Sequence, residues 1–124
     1  MTRTLSCLLA GALVFSSHAA SAQPIVENYF ECKTNKGVTF ADVVAFKNEY
    51  EAAVQDAGIE GYNLKVMFPV YHSKIGSGQF TWYGSFANNQ VWAEVTDWFN
   101  GSDWPPRFFA LMTCESSSLW RAHD

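Results

Sequence analysis

Residues 79–86 have the sequence QFTWYGSF, and the alternation in this stretch decides the fold. Four of these eight residues are aromatic. A period of two divides them between the two faces of a β-strand. One face carries Phe80, Trp82, Gly84 and Phe86, and the other carries Thr81, Tyr83 and Ser85. Because burial of a large side chain contributes about 1.5–3 kcal/mol, we interpret the aromatic face as core.

The preceding stretch, YNLKVMFPVYH at residues 62–72, also alternates and predicts the first arm of a hairpin. Its two faces carry Leu64, Val66, Phe68 and Val70 on one side and Lys65, Met67 and Tyr71 on the other. Pro69 has no N–H to donate, so this strand is expected at a sheet edge or with a bulge there. Residues 72–78, HSKIGSG, are predicted to form the hairpin loop.

A strand and a helix are predicted before the hairpin. Residues 25–33, IVENYFECK, alternate, with Val26, Phe30 and Cys32 on one face and Glu27, Tyr29 and Glu31 on the other. Thr39 and Asp42 have the spacing of a capping box and predict a helix that ends at Gly58.

After the hairpin, Asn88 or Asn89 caps a second predicted helix that stops at Asn100-Gly101. Residues 107–114, RFFALMTC, are predicted as the last clear strand. Two alternatives stay open for the tail: a short strand around Leu119 and Trp120, or packing of Trp120 on the body of the domain.

The predicted order is strand, helix, strand, strand, helix, strand. Two right-handed strand–helix–strand units joined by a hairpin give a split βαβ arrangement. The sequence therefore predicts an α+β, ferredoxin-like βαββαβ domain. Its four-stranded antiparallel sheet would have two helices on one face and the other face open.

Cys32 and Cys114 are predicted to form a disulfide, because two isolated cysteines in an oxidising compartment pair most simply with each other. Their pairing would set Val26 opposite Trp120. The last strand would then have to continue through SSSLW at 116–120, or the tail would have to fold back.

Residues 1–22 are predicted to be a cleaved signal peptide, with Arg3 before a short apolar run and Ala20-Ser21-Ala22 at the cleavage site. The apolar run is too short to span a bilayer. Residues 23–124 would form one domain of about 100 residues, which is enough to bury its own core. We expect it to be periplasmic or secreted.

The formal net charge of the whole chain is −4 at pH 7, and the sequence has no basic stretch. Nucleic acids and anionic membranes are therefore not expected partners. His72 and His123 have no nearby cluster of cysteines or acids, so we predict no metal site and no cofactor.

The open sheet face is the candidate functional surface. The side chains proposed to bind a ligand there are Tyr29, Lys65, Met67, Tyr71, His72 and Tyr83. Tyrosine offers a large apolar area with a polar tip, which suits an interface or the wall of a ligand site. A homodimer through this face and a small hydrophobic ligand are both open alternatives.

The element order, the Phe68-Pro69-x-Tyr71 strand end and the Trp82-x-Gly84 strand resemble the dimeric α+β barrel superfamily. That superfamily includes antibiotic-biosynthesis-type monooxygenases and NIPSNAP-like proteins. The resemblance covers most of residues 25–114 and implies paired open sheet faces with a small ligand between sheet and helices. No catalytic residue of the family matches this chain. We expect a non-catalytic binding or interaction module; the alternative is a cofactor-independent monooxygenase- or cyclase-like enzyme, with Tyr71, His72 and Tyr83 at its site.

Overall fold

A computed structural model of the protein describes residues 23–70 and 78–123. The predicted signal peptide and residues 71–77, which include Tyr71, His72 and all of the predicted hairpin loop except Gly78, lie outside the described residues. The predictions made for them stay predictions.

The described chain forms an α+β domain of three helices and an antiparallel sheet. Its elements are β1 (Ile25–Thr34), α1 (Phe40–Asp56), β2 (Tyr62–Met67), β3 (Phe80–Phe86), α2 (Asn89–Asn100), α3 (Trp104–Leu111), β4 (Met112–Thr113) and β5 (Ser116–Arg121). In the sheet, β1 lies between β3 and β5, β3 lies between β1 and β2, and β4 pairs with the end of β1. This arrangement is consistent with a ferredoxin-like α+β fold, with α3 and β4 added to the predicted elements.

Side-chain caps start the first two helices. Thr39 Oγ1 accepts a hydrogen bond from the Asp42 N–H at 3.2 Å, and the Thr39 N–H donates to Asp42 Oδ2 at 2.7 Å. This reciprocal pair confirms the predicted capping box. At α2, Asn88 Oδ1 accepts from the Val91 N–H at 3.0 Å, so Asn88 is the cap and Asn89 is the first helical residue.

The prediction of a strand over residues 107–114 was wrong, because α3 occupies most of that range. Pro105 and Pro106 lie in the first turn of α3, where proline is preorganised for a helix and costs no hydrogen bond. Trp104 and Phe108 are four residues apart and therefore share the buried face of α3. An apolar run as short as this one fits either a strand or a helix by periodicity alone.

The last long strand is β5, which pairs with β1 so that Val26 lies opposite Trp120. In the same register, Lys33 of β1 lies opposite Thr113 of β4. Cys32 and Cys114 therefore face each other across the two strands and are disulfide-bonded, with their Cα atoms 3.9 Å apart. The predicted pairing is confirmed. Of the two alternatives for the tail, the structure has the strand: β5 covers residues 116–121 in the same register, after a break at Cys114 and Glu115.

The face assignment within β1 was wrong for residues before the disulfide. Tyr29 lies opposite the buried Trp82, and its ring centroid is 5.5 Å from that of Phe108 on α3, so Tyr29 faces the helices. Cys32 also faces the helices, opposite Phe80. Both can do so because the register shifts between Tyr29 and Cys32, where Glu31 has a left-handed φ of 49°. A bulge adds one residue and reverses the alternation, which strict period-two reasoning cannot anticipate.

The core lies between the sheet and the helices, as the alternation of β3 predicted. Phe80, Trp82 and Phe86 are buried together with Leu64 and residues of all three helices. Phe68, expected in this core, is only partly covered: its ring packs 4.0 Å from that of Phe40, but 48% of the residue stays exposed. The reason is that β2 ends at Met67, before Pro69 interrupts the pairing.

Adjacent valines on α1 test this placement of the core. Val43 is fully buried, whereas Val44 is 37% exposed. We expect Val43→Ala to lower the free energy of unfolding by about 2 kcal/mol, because it removes buried methyl groups and leaves a cavity. Val44→Ala should cost less than about 0.5 kcal/mol. Urea denaturation of both variants measures the difference; equal losses would show that α1 does not pack as described.

Candidate ligand-binding cavity

A cavity of about 190 Å³ lies between the sheet and the helices. Its lining comes from β1, β2 and β3 on one side and from all three helices on the other. The lining residues include Glu27, Tyr29, Tyr50, Tyr62, Trp82, Thr96, Phe99, Asn100, Phe108 and Phe109. Asn100 and Phe109 are exposed and mark the side on which the cavity reaches the surface.

The strand pairing brings the polar residues of β1 to this cavity. Glu27 lies opposite Gly84, and Tyr29 lies opposite Trp82, so both side chains face the helices. Gly84 leaves room at the centre of the sheet: a Cβ there would lie 3.3 Å from Tyr62 Cε2 and 3.5 Å from Phe86 Cε2. A larger residue at Gly84 would therefore displace the Tyr62 ring, which lines the cavity.

Aromatic rings form most of the cavity wall and hold one another in edge-on contacts. The Trp82 and Phe108 centroids are 5.1 Å apart at 87°, and Tyr50 meets Phe99 at 6.0 Å and 70°. Such contacts are worth about 0.5–1.5 kcal/mol each beyond the area that they bury. The wall is thus a preorganised aromatic surface contributed by the sheet and by each helix.

Glu27 is the acidic residue of this cavity. Burial raises the pKa of its carboxyl, and a hydrogen bond donated by the Tyr29 hydroxyl to Oε1 at 3.2 Å opposes that rise. The Trp92 indole also lies close enough to lower the pKa of Glu27, but its buried Nε1 makes no hydrogen bond of ordinary length and angle. Two neutral donors therefore flank one partly desolvated carboxyl.

The cavity tyrosines remain protonated at neutral pH. Burial, followed by repulsion from Glu27, raises the pKa of Tyr29 to about 12. The same two causes, burial first, raise the pKa of Tyr50, and burial raises that of Tyr62 well above its ordinary value. Their hydroxyls consequently act as hydrogen-bond donors as well as acceptors, and Glu27 is the acidic residue among the cavity-lining side chains.

The structure separates the residues that the sequence grouped as one ligand site. Lys65 and Tyr83 lie directly opposite each other on the open face of the sheet, with Met67 two residues along β2. Tyr29 lies on the other face and lines the cavity. Tyr71 and His72 lie outside the described residues.

Sequence reasoning missed Glu27, Tyr50 and Phe99 as members of a site. Tyr50 and Phe99 belong to apolar helix stripes, where an aromatic residue usually indicates core. The alternation of β1 did put Glu27 on the same face as Tyr29. That face was expected to be the open one, whereas the bulge before Cys32 turns it toward the helices.

Within residues 23–70 and 78–123, no group of three or more histidine, cysteine or acidic side chains is placed to hold a metal ion. In the same part of the chain, no helix is long and apolar enough to cross a bilayer.

No known family model matches the chain, and no curated protein matches it. Among solved structures, a crystal structure described as that of a chlorite dismutase-like protein aligns with a TM-score of 0.41 and 12% identity. The alignment covers 79% of this chain and 42% of that one, so this chain spans less than half of its length. The fold assignment rests on the strand pairing described above.

The raised pKa of Glu27 predicts how the stability of the protein depends on pH. Between the ordinary pKa of 4.5 and the raised value, the folded protein keeps a proton that the unfolded chain loses. The contribution of Glu27 to the free energy of unfolding therefore falls as pH rises through that window. Glutamine does not ionise, so Glu27→Gln does not lose stability in this way. The free energy of unfolding of Glu27→Gln, minus that of wild type, should therefore be larger at pH 7 than at pH 4.

Urea denaturation at both pH values measures this difference. Glu94→Gln, the same substitution at an exposed position on α2, controls for the general effect of removing one negative charge. A stability difference between Glu27→Gln and wild type that is the same at pH 4 and pH 7 would contradict the raised pKa.

Proposed function

We propose that this protein is a periplasmic or secreted binding module that holds a small ligand in the cavity between its sheet and its helices. The observation that carries the proposal is the Glu27–Tyr29 pair within an aromatic cavity that reaches the surface. Ligand sites are typically apolar and aromatic, with a few polar groups that orient the ligand. A partly buried carboxyl without an ion pair fits that pattern better than it fits a stabilising core.

The volume of the cavity limits the ligand to something the size of one aromatic ring with a short substituent. The cavity encloses about 190 Å³. An engineered apolar cavity of about 150 Å³ is sufficient to bind benzene. Larger ligands would have to extend past Asn100 and Phe109 to the surface.

The proposed location outside the cytoplasm is supported by two independent features. The predicted signal peptide at residues 1–22 directs export. The Cys32–Cys114 disulfide is the kind of bond that persists in oxidising compartments.

The proposal includes a homodimer through the open sheet face, as the resemblance to the dimeric α+β barrel superfamily implies. On β1, β2, β3 and β5, the pairing places the following residues on this face: Val26, Asn28, Phe30, Asn63, Lys65, Met67, Thr81, Tyr83, Ser85, Ser116, Ser118 and Trp120. Lys65 is the charged member of this set, and Lys33, opposite Thr113 beyond the bulge, lies on the same face. None of the residues in the set is acidic, although the chain carries 12 acidic residues. Depletion of charge with aromatic residues and methionine is typical of protein interfaces.

A second copy is the occupant that this face suits best. A two-fold axis brings identical patches together, so a face with little charge avoids like-charge repulsion against itself. Trp120 and Met67 are 59% and 40% exposed in the single chain and would be covered by such pairing.

An acid–base enzyme is the second candidate, and the raised pKa of Glu27 is the observation that favours it. A carboxyl with a raised pKa can take a proton from a bound substrate at neutral pH, next to a phenol that stabilises the resulting charge. The sequence alternative, a cofactor-independent monooxygenase- or cyclase-like enzyme, had Tyr71, His72 and Tyr83 at its site, whereas this candidate uses Glu27 and Tyr29. It predicts product formation that Glu27→Gln abolishes, whereas a binding module returns its ligand unchanged.

A blocked cavity tests the binding site. Thr96 lines the cavity, and Ala93 on the same helix is exposed and does not. We expect ligand-observed NMR to detect binding of at least one of phenol, indole and benzylamine to wild type. Thr96→Trp should weaken that binding by at least about tenfold because the indole fills the space, and Ala93→Trp should leave it unchanged. If wild type binds none of the probes, or Thr96→Trp binds them equally well, the proposed site is wrong.

A charge on the open face tests the dimer. Tyr83→Lys places a second positive charge at the centre of the face, directly opposite Lys65, so a two-fold pairing would bring like charges together. We expect sedimentation of the disulfide-bonded protein to show a dimer for wild type and a monomer for Tyr83→Lys. Gln90→Lys adds the same charge to an exposed position of α2 and should remain dimeric. A monomeric wild type, or a dimeric Tyr83→Lys, would contradict this interface.

A further inference from the structure

We propose that the cavity takes an organic cation, an ammonium group carried on an aromatic or short apolar body, with Glu27 as its counter-ion. This inference rests on the proposed binding function and names the chemical class of the ligand. Three observations lead to it: the pairing of Glu27, the aromatic wall, and the side chains at the cavity mouth.

The first observation is that the described residues bring no basic side chain into an ion pair with Glu27. Arg107 donates to Glu49 at 2.8 Å, and Lys47 lies 3.4 Å from Glu51. Lys65 lies on the open face of the sheet. Arg121 lies opposite Ile25 on the strand next to Glu27 and makes no ion pair with it.

The partners that Glu27 does have are neutral. The Tyr29 hydroxyl donates to Oε1 at 3.2 Å, and the Trp92 N–H is buried nearby with no good hydrogen bond of its own. Such donors stabilise a carboxylate without cancelling its charge. A partly buried charge is costly unless an opposite charge accompanies it. A cationic ligand would supply that charge and would make the ionised carboxylate the favoured form.

The second observation is the aromatic wall beside this carboxyl. Tyr29, Trp82 and Phe99 line the same cavity as Glu27. Ammonium groups are attracted to the faces of such rings, and desolvation strengthens the attraction. An anionic ligand would be repelled by the Glu27 carboxylate. A neutral apolar ligand would leave that carboxylate without an opposite charge. The combination of one acid with several rings therefore favours a cation over either.

The third observation is an apolar rim at the surface end of the cavity. Phe109, which lines the cavity, is 61% exposed. Leu119 is not a lining residue, but it lies directly opposite Glu27 on β5 and is 51% exposed, so it adds exposed apolar surface next to Glu27. Both residues lie on the helix side of the sheet. The apolar body of a ligand held at Glu27 can contact this rim, so the ligand class is an amine with an apolar substituent rather than a free ammonium ion.

A matched pair of ligands tests the inference on the wild-type protein. Benzylamine is protonated at pH 7, and benzyl alcohol has nearly the same shape but no charge. We expect benzylamine to bind about tenfold more tightly than benzyl alcohol by titration calorimetry. Glu27→Gln should abolish the preference, and Glu94→Gln should keep it. Because protonated Glu27 cannot serve as counter-ion, affinity for benzylamine should fall as pH is lowered through the Glu27 titration.

The outcomes separate this inference from the proposed function. Equal binding of both ligands, with loss of both in Thr96→Trp, would keep the cavity as the site and overturn the cationic class. Failure of every aromatic probe to bind would overturn the proposed function itself. The comparison of two ligands on wild type does not depend on the folding of Glu27→Gln. Benzyltrimethylammonium carries the charge but cannot donate hydrogen bonds, so it should bind if charge is the determinant.

Discussion

The structure depends on the two-sided pairing of β1 and on the single bulge within it. β1 pairs with β3 on one side and with β5 on the other, and its register with β3 shifts between Tyr29 and Cys32. Without that shift, Tyr29 and Cys32 could not both face the helices, because their positions differ by an odd number of residues. The bulge therefore allows one strand to supply a cavity residue at one end and a buried half-cystine at the other.

The placement of Glu27 follows from the same pairing. It shares a face with Tyr29 because the two are separated by one residue, and the helices that cover the core cover Glu27 as well. The tyrosines and Trp92 around it offer donors but no charge. A carboxyl in these surroundings destabilises the folded protein when it ionises, and such a cost is usually associated with a functional site rather than with packing.

Local patterns predicted much of the fold. The Thr39–Asp42 capping box, the Asn88 cap and the alternation of β3 depend on neighbouring residues alone, and the structure has each of them. The disulfide was predicted from the cysteine count, and the structure has one of the two tail arrangements that this pairing left open, a strand through SSSLW. The prediction of a strand over residues 107–114 failed because a short apolar run fits the period of a strand and that of a helix. The prolines that start α3 were interpreted only as a rigid connection.

The site could be predicted less well because it depends on the bulge and on long-range pairing. A bulge at Glu31 has no clear signal in the sequence, since a left-handed φ at glutamate is unusual. Tyr29 was therefore assigned to the open face, whereas its side chain lines the cavity on the helix side. Lys65, Met67 and Tyr83 were correctly placed on the open face, where the sequence could not distinguish an interface from a ligand wall.

The most direct test of this account is a carbon-detected NMR titration of the Glu27 carboxyl, with and without saturating benzylamine. The Glu27 resonance can be assigned by its absence in Glu27→Gln. In the free protein, we expect the pKa to lie above 4.5 because the carboxyl is buried. Bound benzylammonium should lower that pKa, since the cation favours the ionised form. A pKa at or below 4.5 that does not move when the amine is added would contradict the central claim that this carboxyl is a buried counter-ion for a cationic ligand.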